Sequence, residues 1–372
     1  MSSPATPSCS SLRWLTAGES HGPALIALLE GLPAGLRLDV EAIRAGLKRR
    51  WEGHGRGPRA KFEQDTLEVL AGLKRGVTLG APLALRIGNS DSRIDELPNL
   101  KAPRPGHADL AGMLRLRSRD ARAILERASA RETTARTAVG EVARQLLAAF
   151  EIRVTSRIVS VGGVDARDET AWRAAIDRAR EAGDSLGGIF EVTATGCPPG
   201  LGGCAQPVDR LDARLMGALA SIPAVKGVEI GIGFAVGGLP GTEVHDPIQP
   251  DPSGWAGLGR ASNRSGGIEG GFTTGQPIVL RAALKPIPTL RHGVPSVDLA
   301  TLEASRATYE RSDVCVIQPA AVVGEAILCL ELADALLART GGVSMAEMRR
   351  RYADLGRTDD PRAWPDDVAG LG

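Results

Sequence analysis

The sequence that decides the fold is GEAILCLELADALLART, residues 324–340. Its spacing predicts a helix, and apolar residues occupy several faces of that helix. A surface helix has one apolar stripe opposite a polar face, and this segment has no such division. We therefore expect the helix to be deeply buried.

The rest of the chain predicts strands and helices in short groups rather than in strict alternation. This order favours one mixed α+β domain over a doubly wound parallel sheet. Strands are predicted at 12–17, 65–73, 81–89, 152–164, 188–196, 226–238 and 275–286, with 24–30 as strand or helix. Helices are predicted at 40–50, 119–150, 168–182, 209–221, 324–340 and 344–355. We expect a short disordered leader at 1–11, one domain at 12–355 and a C-terminal tail at 356–372.

Two of these helices begin at recognisable capping residues. Asp39 precedes the helix at 40–50, and an aspartate side chain can accept hydrogen bonds from the first free backbone N–H groups. Ser344 and Glu347 have the spacing of a capping box. Both starts are therefore predicted more firmly than the helix ends.

The composition argues against several classes of partner. The net charge is +1 over 372 residues, and aromatic residues make up only 3%. Neither value favours nucleic-acid binding through charge or base stacking. The five cysteines include no CxxC pair, and the sequence contains neither a secretion signal nor a run of 18 apolar residues. We expect a reduced cytoplasmic protein without a membrane-spanning segment.

Gly18 to Gly22, GESHG, fits the G-x-S-x-G pattern of serine hydrolases. The pattern lies close to the N-terminus, however, and Pro23 follows at once, where a hydrolase would begin a helix. Ser20 and His21 are adjacent, so in an extended segment they would point to opposite sides. We therefore disfavour Ser20 as a nucleophile.

Histidine and arginine residues in glycine-containing loops indicate an anion site instead. His21 lies between glycine-bearing turns and His107 follows Arg104-Pro105-Gly106. Histidine can deliver a proton near neutral pH, and arginine beside glycine lets guanidinium and backbone N–H groups approach an anion together. Six lysines leave 39 arginines among the 45 basic residues. The arginines singled out by their local sequence are Arg49, Arg50, Arg56, Arg59, Arg104, Arg127, Arg131 and Arg311.

These loops predict a ligand with more than one phosphate or carboxylate group. The glycine-rich segment at 263–275 has the density of a loop that approaches a ligand with its backbone. It is neither a dinucleotide fingerprint nor a P-loop. No His or Cys spacing fits a zinc site, so we expect no metal.

Taken together, these segments resemble one family, chorismate synthase, from about residue 12 to residue 337. The resemblance rests on an ordered set of segments: TAGESHGPAL, EGLPAGL, RRWEGHGRGPR, PRPGHADLAG, LERASARETTAR, GDSLGGIFEV, AVKGVEIGIGF, NRSGGIEGGFTTGQPI, KPIPT and RSDVC. It implies the 1,4-anti elimination of phosphate from 5-enolpyruvylshikimate-3-phosphate to give chorismate. The family requires reduced FMN although the reaction has no net redox change.

The resemblance also assigns roles to individual residues. It implies that His21 protonates the reduced flavin and His107 the departing phosphate. Asp313 would help to remove the C6 proton, and Ser20 would hydrogen-bond near flavin and substrate. The implied substrate contacts are Arg50, Arg56, Arg59, Arg104 and Arg131. The implied FMN contacts are Arg127, Ala128, Ser129, Pro223, Ala224, Asn263, Gly270, Lys285, Pro286, Ile287, Pro288, Thr289 and Arg311.

The family fold implied by the resemblance is a β-α-β sandwich with helices between two antiparallel sheets, assembled as a homotetramer. The compact length predicts a monofunctional enzyme that depends on an external flavin reductase, with NADPH as an indirect reductant. Two other functions stay open at this point. They are a flavin-dependent oxidoreductase on the same scaffold and an arginine-rich nucleic-acid binder, against which the charge and the scarce aromatics argue.

Overall fold

The computed structural model describes residues 12–61, 63–310, 313–356 and 359–366. The predicted leader at 1–11 lies outside the described residues, as does part of the predicted tail. The strands are β1 Arg13–Ala17, β2 Ala24–Glu30, β3 Thr66–Ala71, β4 Leu73–Lys74, β5 Val77–Thr78, β6 Leu83–Gly88, β7 Arg153–Val161, β8 Val164–Asp165, β9 Gly188–Thr195, β10 Val225–Ile230, β11 Ile248–Trp255, β12 Leu258–Arg260, β13 Ile268–Glu269, β14 Phe272–Thr273, β15 Ile278–Leu284, β16 Pro295–Val297 and β17 Ala304–Arg306. The helices are α1 Val40–Arg49, α2 Asp109–Leu116, α3 Arg122–Ala128, α4 Thr133–Ala148, α5 Glu169–Ala182, α6 Leu211–Ala220, α7 Gly241–Val244, α8 Ile317–Thr340 and α9 Met345–Ala353.

Two antiparallel sheets form the outer layers. The first has the strand order β1-β2-β6-β3 and the second has the order β10-β15-β9-β7-β8. Helix α4 packs against β2, helix α8 packs against β7 and β9, and the two helices pack against each other. The predicted α+β sandwich with helices between two antiparallel sheets is confirmed.

Helix α8 is the central element of this sandwich, as its sequence predicts. It begins at Ile317, seven residues before the predicted start, because Pro319 is tolerated in a first turn whose N–H groups have no partner. Most of its 24 residues are buried. A Cβ added to Gly140 of α4 would lie 2.5 Å from the Cβ of Ala326, so this glycine permits the close contact of the two helices. Among the described residues, no helix is long and apolar enough to cross a membrane.

The predicted continuous helix at 119–150 is wrong, because the structure divides it. Helix α3 ends at Ala128, Ser129 is extended with φ −65° and ψ 143°, and a 3-10 turn leads into α4. The Ser129 hydroxyl accepts a hydrogen bond from the Arg131 N–H, which competes with the helical bond. The break brings the residues around Ser129 out of the helix and into a loop.

Two further differences concern glycine and a short helix. The predicted strand at 226–238 ends at Ile230, because Gly231 and Gly233 adopt positive φ values of 58° and 57° and start a 3-10 turn. Helix α2 was not predicted from the sequence, since it has only eight residues, Gly112 among them. Asp39 is confirmed as a cap, since it accepts from two backbone N–H groups of α1. Ser344 is also confirmed as a cap, since it accepts from the N–H of Glu347. The predicted capping box is only half formed, because the Glu347 carboxylate accepts from the N–H of Val343 rather than from that of Ser344.

Two buried thiols predict how stability depends on alkaline pH. Burial raises the pKa of Cys197 and of Cys329 to about 12. A thiol in an unfolded chain has a pKa of about 8.5. Above about pH 9 the unfolded state therefore binds fewer protons than the folded state, and stability falls by about 1.4 kcal/mol per pH unit for each thiol. We expect Cys329→Ala to make the slope of unfolding free energy against pH shallower by about that amount.

The measurement is denaturant unfolding at several pH values between about 8.5 and 11. Cys204→Ala is the matched control, because Cys204 is exposed. An unchanged slope in Cys329→Ala, or the same change in both variants, would show that the Cys329 thiol ionises equally in both states.

Candidate active site

His21 lies in the turn between β1 and β2 and is fixed by one buried carboxylate. Gly18 has a φ of 106°, and a Cβ there would lie 2.4 Å from the carbonyl oxygen of Ala24. The Ser20 N–H donates to the backbone oxygen of Glu126 at 2.9 Å. Glu126 accepts from the His21 N–H at 2.8 Å and lies 2.9 Å from His21 Nδ1. Nε2, which lies 4.0 Å from Asp91 Oδ2, is then the ring nitrogen that could exchange a proton with a ligand.

His107 has an equivalent support at the start of α2. Its Nδ1 contacts the carboxylate of Asp109, whose side chain is almost completely buried. Arg104 pairs with the same carboxylate through Nε at 2.7 Å and Nη2 at 3.1 Å. An ionised carboxylate can only accept hydrogen bonds, so Nδ1 of His107 carries the proton and donates to Asp109. Nε2 is again the ring nitrogen left for a ligand.

Both carboxylates are ionised in the folded protein. For Asp109, burial acts to raise the pKa, but the hydrogen bonds from His107 and Arg104 outweigh it, so the pKa lies well below its usual range. For Glu126, burial also acts to raise the pKa, but the hydrogen bonds from His21 and the charge of Arg122 outweigh it, so the pKa is lowered. Sequence reasoning missed both carboxylates. Asp109 could have been noticed two residues after His107, whereas Glu126 is 105 residues from His21.

Three arginines surround Trp51, and we call Arg50, Arg56 and Arg131 the arginine cluster. Arg50 donates to Thr133 Oγ1 at 3.1 Å and to the carbonyl oxygen of Ala130 at 2.7 Å. Among the described residues Arg50 forms no salt bridge, and its Nη1 and the Nε of Arg56 are buried with no hydrogen-bond partner.

Arg50 is thus a buried cation that forms no salt bridge with a described carboxylate, although Asp65 and Asp313 are close enough for their charges to act on it. Burial and, to a smaller extent, the charges of Arg131 and Arg56 lower the pKa of Arg50 well below its ordinary value, although Asp65 opposes this. A buried charge that is not paired is costly, and an incoming anion would remove that cost. The arginine cluster is therefore suited to bind an anion.

Asp313 closes one side of this cluster. Its carboxylate accepts from Arg56 Nη1 at 2.7 Å and from the backbone N–H of Gly57. The neighbouring N–H of Val314 donates to the carbonyl oxygen of Gly55 at 2.8 Å. The predicted catalytic carboxylate and a predicted substrate arginine are therefore in direct contact, and the backbone of Gly55 and Gly57 holds the loop that carries the arginine against residues 313–314.

Ser20 is connected to the same region but is not a nucleophile. Its hydroxyl accepts hydrogen bonds from Arg59 Nη1 at 3.0 Å and from the Ser129 hydroxyl at 3.2 Å. Activation would instead require the Ser20 hydroxyl to donate to a base. Arg127 donates to the carbonyl oxygens of Thr16 and Gly18 and so holds the turn that carries Ser20. Ala128, the last residue of α3, lies between these contacts.

The predicted cofactor segment 285–289 lies beside His107. Lys285 Nζ donates to the carbonyl oxygen of Gly106 at 2.7 Å, and Arg104 Nη1 donates to Thr289 Oγ1 at 3.2 Å. The backbone N–H of Lys285 donates to the carbonyl oxygen of Ala224 at 2.9 Å. The predicted contacts in this region are Pro223, Ala224, Lys285, Pro286, Ile287, Pro288 and Thr289.

Two predicted cofactor contacts are not brought to this region within one chain. Asn263 Nδ2 donates to the carbonyl oxygen of Pro277, just before β15 begins, and Gly270 lies in the nearby β13–β14 hairpin. Lys285 follows the other end of β15, whose seven residues span about 20 Å. Arg311 lies outside the described residues.

A cavity beside β10 is separate from the site built here. It has a volume of about 640 Å³ and is lined by residues of β10 and the following turn, with Phe234, His245 and Arg264 among them. Neither His21 nor His107 lines it. Among the described residues, no group of three or more His, Cys, Asp or Glu side chains is placed to hold a metal ion.

Comparison with known proteins connects this arrangement to one family. A family model described as chorismate synthase matches residues 12–337. The chorismate synthase of Desulforudis audaxviator strain MP104C is 48% identical over 92% of this chain and 97% of its own length. That of Anaeromyxobacter dehalogenans strain 2CP-C is 48% identical over 91% and 97%. A crystal structure of chorismate synthase is 40% identical and superposes with a TM-score of 0.75, covering 92% of this chain and 96% of that one. The chain belongs to the chorismate synthase family.

Proposed function

We propose that this chain catalyses the 1,4-anti elimination of phosphate from 5-enolpyruvylshikimate-3-phosphate to give chorismate. The observation that carries the proposal is the combination of two histidines on ionised carboxylates with a buried arginine that forms no salt bridge among the described residues and has a buried Nη1 without a hydrogen-bond partner. Loss of phosphate needs both a cationic pocket and a proton donor. Family membership supports the same reaction.

The substrate brings one phosphate and two carboxylates, and the arginines provide their counter-charges. The arginine cluster offers the free N–H groups, while Arg59 and Arg104 are already bound to Ser20 and Asp109. Each guanidinium can form two parallel hydrogen bonds with a phosphate or carboxylate. Binding would therefore give Arg50 the ion pair that it lacks among the described residues, rather than merely add contacts.

The residues around His107 also fit a flavin phosphate and ring. Ala224 adopts a positive φ of 73°, which turns the backbone sharply beside the extended segment 285–289. Burial, with a smaller contribution from the charge of Lys226, lowers the pKa of Lys285. The negative charge of a nearby phosphate would raise this pKa again. Lys285, Thr289, Arg127 and Ser129 are the residues that would hold the cofactor. Reduced FMN, when bound, lends electron density to the elimination and takes it back.

The remaining roles follow from which atoms are free. His107 Nε2 gives a proton to the departing phosphate, since Asp109 holds Nδ1. His21 Nε2 would be the atom that gives a proton to a bound reduced flavin, since Glu126 holds Nδ1. Asp313 assists removal of the C6 proton, and the hydroxyl of Ser20 orients flavin and substrate. Each of these four side chains is held in place by hydrogen bonds to neighbouring residues.

The same proposal includes the oligomeric state of the enzyme and the source of its reduced FMN. A homotetramer would explain the separation of Asn263 and Gly270 from the other predicted flavin contacts, because a second copy could bring them to the site. Reduction of FMN would come from an external flavin reductase, with NADPH as the indirect reductant and the cytoplasm as the location.

The direct test is an anaerobic assay of the full chain with chemically reduced FMN and 5-enolpyruvylshikimate-3-phosphate. We expect release of phosphate and formation of chorismate in equal amounts, without net consumption of reduced flavin. Absence of both products would contradict the proposal. Steady consumption of NADPH in step with substrate would indicate a flavin-dependent oxidoreductase instead.

A further inference from the structure

Trp51 occupies the centre of the arginine cluster. The guanidinium carbons of Arg50, Arg56 and Arg131 lie 5.3, 5.6 and 5.6 Å from the centroid of its ring. A guanidinium within about 6 Å of an indole ring is attracted by the ring's electron density, and more strongly where water is excluded. Three cations that would otherwise repel one another thus share a single neutral neighbour.

The backbone and the ring nitrogen of Trp51 are both fixed. The Trp51 N–H donates to the carbonyl oxygen of Lys48 at 2.8 Å, which places the residue at the end of α1. The indole Nε1–H donates to Asp65 Oδ2 at 2.5 Å, while Asp65 Oδ1 pairs with Arg131. The ring cannot rotate without breaking the bond to Asp65.

Asp65 connects Trp51 to one member of the arginine cluster. It is buried and has a φ of 46°, in the left-handed region that aspartate adopts more readily than most residues other than glycine. One of its carboxylate oxygens accepts from the indole N–H and the other pairs with Arg131. The orientation of the Trp51 ring is therefore coupled to the position of the Arg131 guanidinium.

We propose that Trp51 is a positioning residue that holds the arginine cluster in the geometry required to bind the anionic groups of the substrate. The proposal rests on the proposed function for the identity of that substrate. Trp51 itself does not touch the reacting atoms. It keeps the three guanidinium groups apart and oriented before the anion arrives, so that little side-chain order has to be gained on binding.

The test compares Trp51→Leu, which removes the aromatic ring, with Trp51→Phe, which keeps a smaller one. We expect Trp51→Leu to raise KM about tenfold, since the loss of contacts to three cations weakens their preorganisation. Its kcat should stay within about twofold, because binding is weakened equally in the ground state and the transition state. Trp51→Phe should lie between the wild type and Trp51→Leu.

Trp14→Leu is the matched control. Trp14 is also partly buried and has one guanidinium near its ring, that of Arg136 at 5.9 Å, but this arginine does not belong to the cluster. We expect its KM to equal that of the wild type. A tenfold KM change in the control, or a wild-type KM in Trp51→Leu, would overturn the proposal.

Binding of inorganic phosphate provides a readout that is independent of turnover. Titration calorimetry should show weaker phosphate binding in the order wild type, Trp51→Phe, Trp51→Leu. The tryptophan emission of the wild type should change on phosphate addition, and Trp51→Phe should lack that change. If Trp51→Leu does not fold, judged by circular dichroism, equal phosphate affinity in Trp51→Phe and the wild type overturns the proposal. If the three proteins bind phosphate with affinities in this order but the wild type forms no chorismate, only the proposed function is contradicted.

Discussion

His107→Ala is expected to reduce kcat about a hundredfold or more, since general acid catalysis contributes on the order of 10²–10⁴ to such steps. The variant leaves phosphate to depart without a proton. Binding of FMN should change far less, because the hydrogen bond from Lys285 Nζ to the carbonyl oxygen of Gly106 does not involve the imidazole ring. The measurements are single-turnover phosphate release under anaerobic conditions and FMN titration of the same protein.

The His107→Ala result needs controls for the fold and for the carboxylate left behind. Asp109 would keep its bonds from the backbone N–H, Nε and Nη2 of Arg104, so the buried charge stays paired. His292→Ala is the matched histidine control, because His292 is exposed and its carbonyl oxygen only receives a bond from Arg306. Wild-type phosphate release in His107→Ala would remove this residue from the mechanism. An equal loss in His292→Ala would point to instability rather than to chemistry.

The parts of the fold that could be predicted are those where local sequence determines the structure. Alternating burial in β2 and the apolar surface of α8 follow from side-chain period and hydrophobicity alone. The break at Ser129 does not, because Ser129, Thr133 and Thr134 lower the helical propensity within residues 119–150 but need not end the helix. A competing bond to Arg131 and a contact with Ser20, 109 residues away, decide it. The sequence shows propensities, whereas the partners that override them come from elsewhere in the chain.

The candidate site shows the same limit more sharply. The histidines and arginines could be named from residue type and glycine context. Their supports could not, because Glu126 meets His21 only once β1, β2 and α3 are assembled. Trp51 is the clearest case: in the sequence it is one apolar residue after two arginines, and only the fold brings Arg56 and Arg131 to its ring. Charge type can be predicted locally, but charge arrangement requires tertiary structure.

Asp313→Asn is expected to abolish most turnover while the protein stays folded. The asparagine can still accept from the Gly57 N–H, but its amide N–H₂ faces Arg56 and cannot form the ion pair. The carboxylate proposed to assist proton removal is then missing. We expect kcat to fall about a hundredfold or more, as for removal of a positioned general base. Circular dichroism and thermal unfolding check the fold.

An isotope measurement separates a chemical role of Asp313 from a structural one. With substrate that carries deuterium at C6, kcat falls only in so far as cleavage of the C6–D bond limits the overall rate. Loss of the assisting carboxylate should make this step more limiting, so the deuterium effect on kcat should be larger in Asp313→Asn than in the wild type. Asp165→Asn breaks an exposed ion pair with Arg167 and should alter neither kcat nor the isotope effect. If kcat fell in Asp313→Asn while the isotope effect stayed the same, Asp313 would only place Arg56, and proton removal would have to be assigned to another group.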